Sequence, residues 1–471
     1  MRLFSALLNR KQNGSLYYQY LATFTGSIAI ICTEMHFGWP SPSLPQLLQE
    51  DSHIPMTSAD GSWIAVMPCL GAAFGSITGA LTVDRIGRKT CMLLVSPLHF
   101  ITWLMVAFSP SVSILNVARF IVGIADGIAF TAFPMYIGEI SDSKIRGFLG
   151  SSISVTTMLG FLLINVIGSY FSIRDTALIS SALPVLHFIT FISMPESPYF
   201  LLMKQKPEQA EMSLKKLKGM EDVKEEVLRL NLVVKEETEN SGKFLDLFTV
   251  RSNRKAGFII MGVRGIQQLS GITAITFYSQ IIFDQAEIGI SPSTATSIYF
   301  AVQLIVTIFS SILVDKIGRR PLLIVSVIGS GTFLALEGLY FYFQTQTNID
   351  VSKLSFLPLT SLLLYVIIFN LGMGTVPVLM LSELFPTNVK AFALCIADIY
   401  FGIIVTLVSK FFQMMNDDFG MYVPFFAFTV CCAVGLIFIV TCVPETKDKS
   451  LEEIQQYLKG EDVKKNEKTN L

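Results

Sequence analysis

GALTVDRIGRK at residues 79–89 returns as SILVDKIGRR at residues 311–320, and this pair decides how the chain is built. Each copy is a short charged turn between two apolar runs. A second pair follows in the same order: PMYIGEISDSKIRG (134–147) against PVLMLSELFPTNVKA (377–391), each with an acid followed seven residues later by a base. A third pair closes each half, MPESP (194–198) and VPET (443–446). Three matched motifs in one order mean two repeats in parallel orientation.

Working outward from these turns, the apolar runs have the length of membrane spans. About 20 residues of helix cross the hydrocarbon core, because every buried N–H and C=O must bond within the segment. Twelve such runs are predicted, over 17–37, 63–83, 90–108, 114–136, 148–171 and 176–193, then 257–283, 295–314, 322–343, 355–381, 392–415 and 423–443. The fold class is an all-α membrane protein of two six-helix halves. The halves are residues 1–193 and 257–443, with a cytoplasmic loop over 194–256 and a tail over 444–471.

Composition agrees. Of 471 residues, 52% are hydrophobic and only 15% are charged, where a soluble chain has about a quarter. So few charges cannot clothe a water-facing surface, so lipid is the partner for most of it. A net charge of −1 excludes the basic face that a nucleic acid needs. The seven cysteines fall in apolar runs without metal or disulfide spacing. There is no nucleophile–base pair, phosphate loop or metal motif. The chain is therefore read as no enzyme, with no cofactor, no metal and no obligate protein partner. The N-terminus is too polar for a signal peptide, so the first span is expected to stay as an anchor.

Lys and Arg set the orientation. With both termini inside, thirty of the thirty-five fall in cytoplasmic segments, including Arg2, Arg10, Lys11, Lys144 and twelve in the 194–256 loop. The 40–62 loop has none. The sequon Asn13-Gly14-Ser15 then lies on the cytoplasmic side and carries no glycan. Within 204–250, mixed charges and Leu, Met and Val at helical spacing predict short amphipathic helices, with a disordered linker as the alternative. The residues from 459 onward read as a disordered charged tail.

The charged motifs cannot be catalytic on their spacing. Gly87 allows a tight turn, leaving Asp84, Arg85 and Arg88 at helix ends. An Arg there can pair with Glu139 or Glu383, and with Glu196 or Glu445. With Arg146, Asp315, Arg319, Arg320 and Lys390 these form an expected ion-pair belt. It reads either as a latch between halves or as helix-end charge that fixes topology. Inside the spans, Gln267, Gln268, Ser270, Thr273, Thr276 and Tyr278 make the seventh run polar. Buried amides in lipid must face a partner or a cavity, so these residues belong to a substrate site or to a polar helix contact. Glu34, His36 and Asp126 are ionisable groups within spans and candidates for proton coupling. Alternatively, Glu34 and His36 lie near the outer boundary and Asp126 pairs with Arg119, two turns away on one face, or with another helix.

Taken together, Asp84-Arg85-x-Gly87-Arg88-Lys89, Arg119-Phe120-x-x-Gly123, Glu139…Arg146, Pro195-Glu196-Ser197-Pro198, Gln267-Gln268-Leu269-Ser270-Gly271 and Pro444-Glu445-Thr446 resemble the sugar porter branch of the major facilitator superfamily. The GWPSPSLPQL of residues 38–47 is similar to the facilitated trehalose transporters of insects. The resemblance implies a twelve-helix carrier in the cell membrane for a small sugar, trehalose or a hexose, working by alternating access. It implies sugar-binding roles for Gln267 and Gln268 and places Ser154, Thr273, Gln303 and Asn370 in the pocket. It also marks departures: Ser154 stands for a usual Gln, Thr273 for Asn, Gln303 for Asn, Asn370 for Glu, Val378 for Trp and Phe401 for Asn. These leave the architecture intact and put glucose selectivity in question. Gly372, Gly374 and Pro377 are expected either to let the tenth span bend for gating or to permit close packing. Facilitated uniport is the expected mode, with proton-coupled symport as the alternative. A non-transporting sugar sensor is the competing class, and the short tail favours a carrier.

Overall fold

The computed structural model describes residues 16–239, 244–447, 449 and 451–459, and every regular element among them is helical. Arg2, Arg10, Lys11, the Asn13 sequon and the tail beyond Lys459 lie outside the described residues, as does the side chain of Asp315.

Among the described residues, ten helices are long and apolar enough to span a membrane, from Ser58–Ile86 to Tyr422–Cys442. Two more complete the twelve. Tyr17–Gly38 is 22 residues long but buries Gln19, Thr23, Thr25, Ser27, Thr33, Glu34 and His36. The sixth span is split into Ile173–Ser180 and Ala182–Phe191. Helix ends fall within a few residues of those predicted. Two spans are broken in their middle. The seventh is Arg251–Leu269 followed by Ile272–Gln285, with Gly271 at φ +84° in the break. The tenth is Leu357–Leu371 followed by Val376–Leu384, parted around Gly372 and Gly374. Between the sixth and seventh spans lie the helices Pro198–Met203, Pro207–Lys218, Lys224–Glu239 and Asp246–Thr249.

The chain forms two compact units. One comprises Met1–Gly38 and Met67–Ser241, the other Trp39–Val66 and Gly242–Leu471. In the first unit, the part of Ser58–Ile86 from Met67 onward packs on Val112–Ile140 through glycine. A Cβ on Gly71 would strike the backbone of Phe120, and one on Gly75 that of Ile124. From the other side, a Cβ on Gly123 would strike Pro68 and one on Gly127 would strike Ala72. Lipid offers no hydrophobic drive between helices, so such backbone-to-backbone approach is what holds them. Gly127→Leu is expected to lower stability by roughly 1–3 kcal/mol or more, as overpacking does. Gly147→Ala, where a Cβ meets nothing within 4 Å, is expected to be neutral. Thermal unfolding of the purified variants in detergent checks both.

In the second unit, the segment after the first span is part of the packing. The short helix Pro40–Leu47 lies on Ile272–Gln285, where the Ser41 and Ser279 hydroxyls are 2.8 Å apart. Lys410 of the Thr387–Phe419 helix holds the start of Ser58–Ile86. Its Nζ donates to Ser62 Oγ at 2.7 Å and to Ala59 O at 3.3 Å, and sits 3.8 Å from the Trp63 ring centre.

Candidate functional site

The break in the seventh span gathers polar side chains within the second unit. Gly271 lets the backbone turn with positive φ, which an L side chain resists. The turn exposes the Ser270 carbonyl, which accepts from Tyr365 OH at 3.1 Å. Gln267 Nε2 donates to Met373 O at 2.7 Å, in the break of the tenth span, so the two interrupted helices meet through this amide. Met373 N in turn donates to Ser326 Oγ at 3.0 Å. Thr273 Oγ1 donates to Gln268 Oε1 at 2.6 Å. The buried residues Gln267, Gln268 and Thr273 are thereby brought together.

The other predicted pocket residues divide. Asn370 is buried at the end of Leu357–Leu371, and its Nδ2 donates one turn back to Val366 O at 2.8 Å. Gln303 is buried with its Oε1 unpartnered among the described residues. Ser154 lies in the first unit on Arg146–Tyr170, with an exposed side chain. Val378 is exposed, while Phe401 packs 5.4 Å from the guanidinium carbon of Arg264. Arg264 and its electrostatic neighbour Asp398 were not among the predicted site residues. Their signal was present in the sequence: both are ionisable residues inside predicted spans.

The charged turns form two sets with one design. In the first unit, Arg88 donates through Nε and Nη2 to Glu139 Oε1, at 3.0 and 2.9 Å, and through Nη1 to Val83 O at 3.2 Å. Asp84 Oδ1 is 2.9 Å from Nη1. Ser197 Oγ donates to the other Glu139 oxygen. In the second unit, Arg319 donates through Nε and Nη2 to Glu383 Oε1, at 3.1 and 2.8 Å, and through Nη1 to Val314 O at 3.4 Å. Thr446 Oγ1 donates to Glu383 Oε2 at 2.5 Å. Each set is internal to its own unit.

Glu196 and Glu445 have a different task from the one expected of them. Glu196 Oε1 accepts from Lys89 N at 3.0 Å, and the two Glu445 oxygens accept from Arg319 N and Arg320 N at 3.0 Å. Both acids therefore cap the start of the helix that follows a charged turn, where free N–H groups and the helix dipole favour a carboxylate. Burial acts to raise the Glu445 carboxyl, but N–H donors from Lys447, Arg319, Arg320 and Thr446 outweigh it and hold it below the usual range. Glu445→Gln is expected to cost about 0.5–2 kcal/mol, the range for a lost helix cap, read as a fall in thermal stability. Among the remaining expected members, Arg85 is exposed, Arg146 donates to Ser141 O at 3.2 Å, and Arg320 reaches Val440 O at 2.5 Å. Lys390 is half-buried and interacts electrostatically with Glu383. A cleft in the first unit is lined by Asp84, Arg88, Glu139 and Arg146 together with Tyr199 and Leu230.

The ionisable residues of the first unit form a third, buried set. Asp126 does not take Arg119 as its hydrogen-bond partner. Its Oδ1 is 3.0 Å from His99 Nε2, on the neighbouring Arg88–Ala107 helix. Arg119 Nη1 donates instead to His36 O. The His36 ring stacks on Trp103 with centres 3.7 Å apart, and its Nε2 is 3.4 Å from Thr102 Oγ1. Glu34 Oε1 accepts from Thr157 Oγ1 at 3.2 Å. Glu34 and His36 are both buried, close to the C-terminal end of Tyr17–Gly38.

Residues 13–458 match the family model described as "Sugar (and other) transporter". The chain is 33% identical over 445 residues to "Facilitated trehalose transporter Tret1" of Bombyx mori, covering 94% of this chain and 87% of that protein. It is 32% identical to "Facilitated trehalose transporter Tret1-2 homolog" of Drosophila simulans, over 94% of this chain and 91% of that protein. Among solved structures, the major facilitator proton:xylose symporter XylE bound to 6-bromo-6-deoxy-D-glucose aligns with a TM-score of 0.75 at 24% identity, over 94% of this chain and 99% of the other. XylE from E. coli in an inward open conformation aligns at 0.77 and 23% identity, over 93% and 99%. At that identity the likeness is one of fold, and the fold is that of twelve-helix major facilitator proteins.

Proposed function

The chain belongs to the sugar transporter family, and from that premise we propose that it is a facilitative carrier of a small neutral sugar, trehalose or a hexose, working by alternating access in the cell membrane. The observation that carries this reading is the amide pair Gln267 and Gln268 at the break of the seventh span, joined to Thr273 and to the tenth span at Met373. Amides and hydroxyls suit a hydroxyl-rich, uncharged ligand, which needs paired donors and acceptors rather than a fixed charge. Discontinuous helices near mid-membrane are where many transporters hold substrate, and the seventh and tenth spans are both interrupted. The trehalose-transporting relatives, matched over nearly the whole chain, support the cargo class.

In this reading both termini are cytoplasmic, supported by the Lys and Arg bias of the loops. The Arg88 and Arg319 sets then brace the cytoplasmic ends of their helices, one in each half, and serve as the gate elements that alternate between states. Gln303 and Asn370, buried in the same unit as the amide pair, belong to the sugar site in this reading. A second reading, proton-coupled symport, is favoured by the His99–Asp126 pair and the buried Glu34 in the first unit. Counterflow tests the carrier itself. Liposomes holding the purified protein and preloaded with unlabelled trehalose or D-glucose should transiently accumulate the labelled sugar from outside. Preloaded vesicles that behave like protein-free ones would contradict a sugar carrier. Gln268→Ala should raise the half-saturating concentration about tenfold or more, the effect of losing one or two buried hydrogen bonds.

A further inference from the structure

A charge pair stands beside the amides of the second unit. Arg264 lies one turn before Gln267 on Arg251–Leu269, and its Nη1 is 3.5 Å from Gln267 Oε1. Asp398 lies one turn before Phe401 on Thr387–Phe419. The two helices pack closely there. A Cβ on Gly265 would come within 2.8 Å of Tyr400 OH, and the Arg264 guanidinium carbon is 5.4 Å from the Phe401 ring centre. Arg264 and Asp398 interact electrostatically, and both side chains are half-buried. Arg264 Nε is buried and unpartnered among the described residues.

Gln267 is already occupied at both ends, by Met373 O through Nε2 and by Arg264 through Oε1. The amide that resemblance marks as the sugar ligand is thus held in place by the protein, and Arg264 retains donors that it does not use. Resting on the carrier function proposed above, we infer that Arg264 and Asp398 are specificity-determining residues of the substrate pocket, binding two neighbouring hydroxyls of a neutral sugar. A hydroxyl donates one hydrogen bond and accepts two. A vicinal diol therefore meets a carboxylate on one side and the parallel N–H groups of a guanidinium on the other, and each such bond is charge-assisted. The pair is neutral as a whole, so a neutral sugar enters without adding an uncompensated charge, whereas an anionic sugar must displace Asp398. Phe401 gives the sugar ring an apolar face beside the diol. The charge pair thereby supplies polar groups in the unit where Thr273 and Phe401 replace amides expected of a hexose carrier.

Competition by D-glucose and its 2-, 3-, 4- and 6-deoxy derivatives against uptake of labelled trehalose and D-glucose tests this, in Arg264→Lys, Asp398→Asn and the parent protein. In the parent, the deoxy analogues at two neighbouring positions should compete about 10- to 100-fold more weakly than D-glucose, the range for hydrogen bonds to charged groups. In either variant that preference should shrink towards one, while preferences at other positions stay. A general weakening of all competitors in parallel, or no change, would overturn the role of the pair. The double variant Arg264→Gln/Asp398→Asn removes both charges together and keeps the site neutral should a single change unfold the protein. It should show the same collapse of preference, and an unchanged preference in it would equally overturn the inference. If the parent carries neither sugar, the carrier function fails, and this inference with it. If the parent carries one and the preferences do not move, this inference alone fails.

Discussion

Arg88→Ala lowers the stability of the protein by roughly 3–5 kcal/mol, whereas Arg85→Ala, three residues away, changes it by no more than about 0.5 kcal/mol. The difference follows from burial. The Arg88 side chain is 1% exposed and its partner Glu139 14%, while Arg85 is exposed. Removing the guanidinium strands the Glu139 carboxylate against Ser197 and takes from the Val83 carbonyl one of its two donors, leaving Gly87 N. Truncating one partner of a buried pair costs far more than the pair itself contributes, because the remaining charge keeps its desolvation penalty. Glu139→Gln should cost less, about 1–3 kcal/mol, since the amide keeps the shape and one acceptor. Thermal unfolding of the three variants orders them. Equal stability for Arg88→Ala and Arg85→Ala would show that the paired turn adds nothing to the fold.

Asp126→Ala has an effect of the same size, roughly 3–5 kcal/mol, for a related reason. Asp126 is the partner of His99 and an electrostatic neighbour of Arg119 in the interior of the first unit. Its loss takes the buried carboxylate from His99 Nε2, leaving Thr33 Oγ1 at 3.5 Å, and removes a buried negative charge near Arg119. The double variant His99→Leu/Asp126→Leu should be more stable than Asp126→Ala, because replacing a buried pair by apolar groups of similar size is often neutral. A double-mutant cycle on thermal stability measures this, with a coupling of about 0.5–3 kcal/mol expected for residues in contact. Additive losses would mean that the 3.0 Å contact carries no coupling.

The twelve spans were legible because lipid leaves a helix no choice of period or length, so hydropathy alone fixes where they run. The paired turns were legible because the sequence repeats them. Local departures from regular helix were less so. Gly372, Gly374 and Pro377 mark the tenth span for a bend or for close packing without deciding between them, and the seventh has only Gly271, where one glycine does not reveal whether its φ will be positive. Partners across helices were the weakest part. Spacing put Arg119 and Asp126 on one helix face, yet it cannot say which neighbouring helix lies opposite, and His99 is what lies there. The same limit applies to Glu196 and Glu445, whose acids suggest arginine partners when the nearest donors are backbone N–H groups at helix starts. Arg264 and Asp398 are a different case. Both are ionisable residues inside spans, the same signal that marks Glu34, His36 and Asp126 in the first half of the chain.

The sugar-carrier reading and its facilitative mode meet in one measurement: the level at which labelled trehalose and D-glucose settle in liposomes containing the purified protein, with and without an imposed inward proton gradient. A facilitator brings either sugar to equal concentration inside and out, saturably, and the gradient leaves that final level unchanged. Accumulation above the outside concentration under the gradient would contradict facilitation and assign proton coupling to the buried acids of the first unit. Uptake no faster than in protein-free vesicles would contradict sugar transport itself.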